Sequence, residues 1–401
     1  MTFAVDVSAL GPWTPPDPRD LPQWRARLRD HMLAPDTLLG LAAAINSGRA
    51  VVLPVMPGVD ASPGAVAAQI LARLEHQRLN DAALYYVTAD MTALALAAAQ
   101  TPPGEPVTER RLPTPAGLMV FASPIGGYRQ DVRDVLGSMG MQVTDTPIEV
   151  STPIVAVSWS TWSPDAVHVT DTPGALTWVH HGSDDTVSLI GEEYAGIWLT
   201  FYSGGDSVFA ALPPQTVLAT TPTGAVTAGD MAEKHRRQPL VWDNETLLTR
   251  GVGFGPAEAD STMQWAHVVY TAWQLITQQG KTVLADLEAV PRDRAGRRRD
   301  ARTGITGPSE VRIVHVHAAH RPPASAARQD EEASSGRHAP QWSCRWPVRP
   351  YRRNTCLNPR AHADGGCEHE DRIVPAHIKG PASKPLRVTE TVNLWDSQPE
   401  T

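Results

Sequence analysis

The stretch STPIVAVSWSTW, residues 151–162, marks the point where the sequence changes character. Val, Ile, Thr and Trp dominate it, and such β-branched and aromatic residues favour strands. Three further segments of similar composition follow at 174–181, 195–203 and 238–243, with the turn clusters GSDD, SGGD and TPTG among them. Strands that follow one another with short turns predict a largely antiparallel sheet.

The tryptophans of these segments fit a shared core. Each segment contains at least one Trp within its strand pattern: Trp159, Trp178, Trp198 and Trp242. Because Trp is largely buried in most proteins, core packing is a better explanation than an aromatic binding platform.

One long helix follows the predicted strands. Asp260 or Ser261 can cap TMQWAHVVYTAWQLITQQ, and Gly280 can end it. Its apolar residues recur with a period of about 3.6, which is typical of a helix with one buried face. We therefore expect a helix over 261–279 that packs on the sheet and closes a β-rich region spanning 149–290.

The preceding residues mix both kinds of element. Residues 1–20 are rich in Pro and are expected to be extended, whereas 21–148 alternate short apolar runs with helical patterns. VVLPVM at 51–56 predicts a strand, and Pro63 can open the helix that follows it. The fold class expected from the whole chain is α+β, with a mixed N-terminal region, a mainly antiparallel middle and a small basic C-terminal β module.

The C-terminal module is expected to span 291–401. It contains the strand pattern VRIVHVH at 311–317 and a flexible loop at 321–340. Residues 292–387 hold 19 Lys and Arg against 10 Asp and Glu, whereas the chain as a whole has a net charge of −8. A basic segment on an acidic body favours an anionic partner for that segment, although the same segment could pack on its own body.

The N-terminal residues show no secretory pattern, and no stretch is long and apolar enough to suggest a membrane span. Three cysteines cannot all pair within one chain. We therefore expect a cytoplasmic protein whose thiols are free or bound to metal, without a membrane partner.

All three cysteines fall in one loop-rich stretch, together with several histidines, which suggests a zinc site. Zinc prefers four nitrogen and sulfur ligands in tetrahedral geometry, and a Cys3His set is typical of structural sites. A bound ion would also order a segment that has few apolar residues. The candidate ligands are Cys344, Cys356 and Cys367, with His362 or His369 as the fourth. The alternative is scattered free thiols and solvated histidines.

The same segment predicts a nucleic-acid-binding surface. Arg offers two parallel donors to a phosphate, and aromatic rings can stack on bases. His377 and Lys379 project from the same side if their segment is extended. The candidate residues are Arg345, Arg349, Tyr351, Arg352, Arg353, Arg372, His377, Lys379 and Lys384. A solvated basic face is the alternative.

Two short motifs carry a resemblance to a protein family. WPVRPYRRN at 346–354 and IVPAHIKGP at 373–381 resemble the W-x-V-R and I-x-P-H-x-K-G-P segments of proteins from actinobacterial phages, plasmids and chromosomes. The resemblance covers roughly 260–395 and implies an association with mobile elements, but no particular reaction. The cysteine-bearing stretch at 354–370 departs from that pattern, so the zinc site rests on this chain's residues alone.

Three functions follow from these features. The first is a mobile-element-associated accessory protein that binds DNA or RNA through its C-terminal module and is not an enzyme. The second is a metal-dependent nuclease related to the HNH type, with His369 as the base and His377 as a metal ligand. The third is a protein-interaction factor whose acidic body binds a partner. The common phosphate-binding and nucleophile motifs are absent from the sequence.

Overall fold

A computed structural model describes residues 13–46, 52–56, 62–101, 103–138, 141–164, 176–181, 187–189, 191, 194–205, 209, 211–222, 224–236, 238, 240–255, 261–278, 283–305, 307–317, 346–348, 351–356, 369–374 and 377–379. The helices of these segments are α1 (Leu21–His31), α2 (Pro35–Asn46), α3 (Pro63–Asp81), α4 (Ala89–Ala98), α5 (Val132–Ser138), α6 (Ala228–Arg236), α7 (Thr262–Ile276) and α8 (Arg294–Arg302).

The described segments of the N-terminal and middle regions contain twelve strands. They are β1 (Val52–Val55), β2 (Ala83–Val87), β3 (Ala116–Phe121), β4 (Gly126–Asp131), β5 (Gln142–Val143), β6 (Glu149–Trp162), β7 (Thr177–His181), β8 (Val187–Leu189), β9 (Gly196–Gly204), β10 (Val217–Thr221), β11 (Gly224–Thr227) and β12 (Leu240–Thr249). The later strands are β13 (Ala285–Val290), β14 (Val311–Val316), β15 (Trp346–Val348), β16 (Tyr351–Cys356), β17 (His369–Val374) and β18 (His377–Lys379).

The main sheet has eight strands, and its order is β12-β9-β6-β3-β2-β14-β13, with β4 also paired to β6. The pairs of β2 with β3 and with β14 are parallel, whereas the other pairs of this sheet are antiparallel. This arrangement confirms the predicted α+β class with a mainly antiparallel sheet.

The long strand β6, which contains the stretch at 151–162, forms the middle of this sheet. Its first half pairs with β4, its second half pairs with β3, and its other edge pairs with β9. A strand paired along both edges and covered on both faces should be almost continuously apolar. The run from Thr152 to Ser158 is buried at every position, as this requirement predicts.

Alternate residues of β6 and β9 enter two different cores. Val157 and Trp159 face α4 and α7, whereas Ala156 and Trp162 belong to the core beneath α1, α2 and α3. The sheet is therefore the middle layer between two sets of helices, which is one of the stable ways to bury both of its faces.

Helix α7 confirms the packing helix expected from the sequence, although it is shorter than 261–279. The Ser261 side chain caps it by accepting from the Gln264 N–H at 3.2 Å. Trp265, Val268 and Trp273 are buried against the sheet, where Trp273 lies 5.2 Å from Trp159 between ring centroids.

Two three-stranded sheets accompany the main one. One has the order β1-β7-β8 and adds Val52 and Trp178 to the core beneath α3. The other has the order β11-β10-β5 and forms a separate core with α5 and α6, which includes Leu136 and Leu218.

Strand β14 belongs to the main sheet, where it lies between β2 and β13. The first part of the expected 291–401 module is therefore built into the body of the protein.

In the described segments, no helix combines the length and the apolar character needed to cross a membrane.

A glycine substitution tests the tight pairing of β9 with β12. A Cβ added at Gly196 would lie 2.0 Å from the Leu248 carbonyl oxygen, so the backbone would have to shift. We expect Gly196→Ala to lower the free energy of unfolding by about 2–3 kcal/mol in urea denaturation.

Gly40→Ala provides the matched control, because a Cβ at that helical position meets nothing within 4 Å. This variant should gain about 0.5–1 kcal/mol, since Ala favours the helix over Gly. Equal stability of the two variants would contradict the register of these strands.

Candidate functional site

The predicted zinc ligands are partly brought together. Cys356 lies at the end of β16 and His369 at the start of β17, and the two are directly paired in the antiparallel register. Cys344, His362 and Cys367 lie outside the described residues. Among the side chains that are described, no three His, Cys, Asp or Glu residues form a group that could hold a metal ion.

The predicted nucleic-acid contacts lie on two short ladders. Tyr351, Arg352 and Arg353 are in β16, and Arg353 is paired with Arg372 of β17. His377 and Lys379 are in β18, which pairs with β15 so that Lys379 is opposite Trp346. Lys379 is exposed. Arg345, Arg349 and Lys384 lie outside the described residues.

The register separates these two groups of candidates. Residues two apart on a strand share a face, as do residues that are directly opposite on neighbouring strands. Tyr351, Arg353 and Arg372 therefore occupy positions on one face of the β16–β17 ladder. Cys356 and His369 occupy positions on the other face.

The two histidines expected of a nuclease belong to different ladders. His369 is in the β16–β17 ladder and His377 is in the β15–β18 ladder. The register therefore does not pair the expected base with the expected ligand.

Helix α8 is a basic element that the candidate residues from the sequence did not include. Five of its nine residues are arginines, and all five are exposed: Arg294, Arg297, Arg298, Arg299 and Arg302. The four-residue spacing of Arg294, Arg298 and Arg302 is visible in the sequence and could have identified them. Such a run is usually a solvated face, and the sequence alone does not show whether carboxylates neutralise it.

Helix α8 is held at its start by a cap and near its end by an ion pair. The Asp293 side chain accepts from the Gly296 N–H at 2.6 Å. Asp300, on the buried side, receives two hydrogen bonds from Arg292, at 2.9 and 3.0 Å. Arg292 also donates to the Arg19 carbonyl, which ties the helix to the N-terminal segment.

A second candidate is a buried network between α3 and the sheet. Glu75 and Arg78 form an ion pair with side chains only 3% and 5% exposed. The Glu75 carboxylate also accepts hydrogen bonds from three hydroxyls of the sheet, those of Ser158 (2.6 Å), Thr200 (3.0 Å) and Tyr202. Sequence reasoning missed this pair, although both residues lie on the apolar stripe of α3.

The same network contains a second carboxylate, Glu245 of β12. Burial raises the pKa of this carboxyl to about 7, while the positive charge of Arg78 and a hydrogen bond from Trp198 act in the opposite direction. Burial likewise lowers the pKa of Arg78 to about 10, so the guanidinium is still a cation at neutral pH.

Carboxylates, a guanidinium and a phenol could serve acid–base chemistry if a substrate reached them. Here Glu75, Arg78, Tyr202 and Glu245 are each more than nine-tenths buried. A buried charge is tolerated when it is paired and hydrogen-bonded, and Glu75 and Arg78 meet that condition. Glu245 Oε1 has no hydrogen-bond partner among the described residues, which agrees with a carboxyl that burial keeps protonated. We therefore interpret the network as the polar junction that fixes α3 on the sheet.

The comparisons with known proteins leave the function open. No protein-family model matches the chain, and no curated protein sequence does so. Among solved structures, the crystal structure of AcrVA2 matches with 11% sequence identity and a TM-score of 0.29, over 89% of this chain and 93% of that chain. A TM-score this low supports no inference about fold or function.

The pH dependence of stability tests the environment of Glu245. The native carboxyl stays protonated up to about pH 7, whereas in the unfolded chain it ionises near its ordinary pKa of 4.5. Native protein therefore binds more protons between these values, and stability falls as the pH rises through that window. The loss is about 3 kcal/mol for this group, and Glu245→Gln should remove it.

The measurement is urea denaturation of both proteins between about pH 5 and pH 8. Glu149→Gln at an exposed position is the matched control and should keep the wild-type slope. If Glu245→Gln showed the same slope as wild type, Glu245 would be ionised in the native protein across this range.

Proposed function

We propose that the chain is a non-enzymatic, nucleic-acid-binding accessory protein of mobile genetic elements, which binds through its C-terminal ladders. The observation that carries the proposal is the pairing of Arg353 with Arg372 in the β16–β17 ladder. The resemblance of the two flanking motifs supports the association with mobile elements.

Two arginines directly opposite one another repel, and like charges at such positions destabilise a ladder. A phosphate placed between two guanidinium groups turns this repulsion into attraction, because each guanidinium can donate two hydrogen bonds to it. Glu370, two residues from Arg372 and opposite Thr355, lies on the same face and offsets one of the two charges, so this face keeps a net positive charge that favours an anion.

The aromatic residues favour nucleic acid over an isolated phosphate. Tyr351 is placed on the same face as Arg353 and Arg372, and Trp346 is paired with Lys379 in the second ladder. Rings beside cationic groups can stack on bases while the cations neutralise the backbone. Both DNA and RNA meet this description.

We further propose a zinc ion that stabilises the same module. Cys356 and His369 are paired in register on the face opposite the arginine pair. Directly opposite positions are close enough for two side chains to share one ion. Cys344 and Cys367 are the proposed remaining ligands of a Cys3His set, with His362 as the alternative to His369, so the ion would hold the ladder without occupying the nucleic-acid face.

The alternatives make different predictions in the same experiments. A nuclease of the HNH type, with His369 as base, should cleave plasmid DNA when Mg²⁺ or Mn²⁺ is added. A protein-interaction factor should show no salt-sensitive binding to nucleic acid, because its acidic body would be the binding surface.

We expect Arg353→Gln/Arg372→Gln to weaken binding to a labelled oligonucleotide at least about tenfold. The loss of two phosphate contacts should lower the slope of log K against log salt by up to about 1.8. Fluorescence anisotropy at several salt concentrations measures both quantities.

Arg73→Gln/Arg129→Gln has the same change in charge at two exposed positions outside the ladders. It should bind like wild type after a small correction for net charge. If both double variants lost the same amount of affinity, Arg353 and Arg372 would contribute only through the net charge of the protein.

We expect purified protein to contain zinc, and Cys356→Ser to lose most of it. Thiolate is the preferred ligand in structural zinc sites, and loss of one ligand weakens the site strongly. Elemental analysis after dialysis gives the stoichiometry. Full retention of zinc in the variant would remove Cys356 from the ligand set.

A further inference from the structure

The exposed arginines of α8 form a cationic surface separate from the C-terminal ladders. We propose that α8 binds the major groove of duplex DNA, with its arginines on the phosphates of both groove walls. This inference depends on the proposed function, because it identifies the form of nucleic acid and a second element that contacts it.

The arginines are arranged around the helix and not along a single line. At about 100° per residue, they span about 200° of the circumference, with Arg298 at the centre. Gly296 and Asp300 lie on the opposite side and are buried. The other two residues of the exposed arc are Ala295 and Ala301, whose short side chains allow close approach.

This positive charge is not neutralised within the described part of the chain. No ion pair links any of the five exposed arginines to a carboxylate there. The one acidic residue of the helix, Asp300, is already bound by the buried Arg292. A solvated face normally mixes both signs of charge, whereas this arc carries one sign only.

All five cations of the arc are Arg, a residue type that suits a phosphate ligand. A guanidinium is planar, remains charged, and binds phosphate through two donors, whereas a Lys ammonium acts as a point charge. Because 31 of the 35 basic residues of the chain are Arg, the residue type agrees with a phosphate ligand but does not select it, and the arrangement of the charges carries the inference.

The backbone of α8 is pre-organised, since the cap at Asp293 and the Arg292–Asp300 pair fix the start and the buried side of the helix. A Cβ at Gly296 would lie 2.5 Å from Arg292 Nε, so the glycine permits this close anchoring. A rigid surface loses little conformational entropy when it binds, which increases affinity for a given set of contacts.

The dimensions favour duplex DNA over other nucleic acids. A nine-residue helix is about 14 Å long and, with its side chains, about 10–12 Å across. The major groove of B-form DNA is about 12 Å wide and admits such a helix. The major groove of A-form RNA is too narrow for side chains to enter easily. A single strand would be contacted from one side and would not require an arc of about 200°.

The test compares three variants of the full chain against fluorescein-labelled duplex DNA, its single strand and duplex RNA of the same sequence. Arg294→Gln/Arg298→Gln/Arg302→Gln removes the centre of the arc. Arg294→Lys/Arg298→Lys/Arg302→Lys keeps the charge but removes the paired donors. Arg27→Gln/Arg73→Gln/Arg129→Gln matches the first change at exposed positions on α1, α3 and β4.

We expect the Gln variant to lose duplex-DNA affinity at least about tenfold and its salt slope to fall by up to about 2.7. The Lys variant should keep the slope and lose less affinity, and the matched control should bind like wild type. Circular dichroism and the urea midpoint confirm that each variant is folded, since the substituted side chains are exposed.

Different results would overturn different statements. If wild type binds DNA and the Gln variant binds equally well, α8 is not a contact, but the proposed function stands. Equal losses on single strands would overturn the assignment to the groove. Wild-type binding to polyglutamate as tight as to DNA, together with its loss in the Gln variant, would identify α8 as a surface for acidic protein. If wild type binds none of the nucleic acids, both the inference and the proposed function fail.

Discussion

Strand β6 is buried on both faces and hydrogen-bonded along both edges, and this constraint organises the molecule. Helices must cover each face, and α7 and α3 do so from opposite sides. Buried polar side chains on the strand then need partners within the protein, although the Trp162 N–H finds none among the described residues. The Ser158 hydroxyl donates to Glu75, and the Ser160 hydroxyl accepts from Arg78. The charged pair on α3 therefore supplies hydrogen-bond partners for hydroxyls of the sheet.

Two groups of arginines in this chain differ physically. Arg78 and Arg292 are buried, and each is paired with a carboxylate from its own neighbourhood. These ion pairs neutralise the two guanidinium charges and help to hold α3 and α8 in place. The exposed arginines of α8 have no such partner within the described residues. This difference in pairing separates the arginines that fold the protein from those that remain able to bind a ligand, although the sequence shows the same residue type in both.

Local patterns predicted those parts of the fold that local chemistry determines. The β-branched and aromatic content of β6 and the 3.6-residue period of α7 identified both elements, because side-chain placement on one strand or helix depends on near neighbours in sequence. The parallel pairing of β14 with β2 joins residues more than 220 positions apart, and no local signal reports it. Glu75 was hidden for the same reason, because its hydroxyl partners come from β6 and β9. For the candidate site, the sequence identified the basic residues of the C-terminal module. It did not show the strand register that places Arg353 directly opposite Arg372.

The position of α8 explains how a modest basic element could contribute to binding. In the sequence, α8 lies between β13 and β14, which pair along their full length in the main sheet. The segments that lead into and out of the helix are therefore each attached to a strand of that sheet. The C-terminal ladders follow β14 in sequence, and β15 and β18 lie against α4 on the same body. If both proposed surfaces engage one nucleic acid, the second contact forms within an existing complex at high effective concentration. Two weak surfaces in one chain then bind more tightly than either alone, provided that a single duplex can reach both.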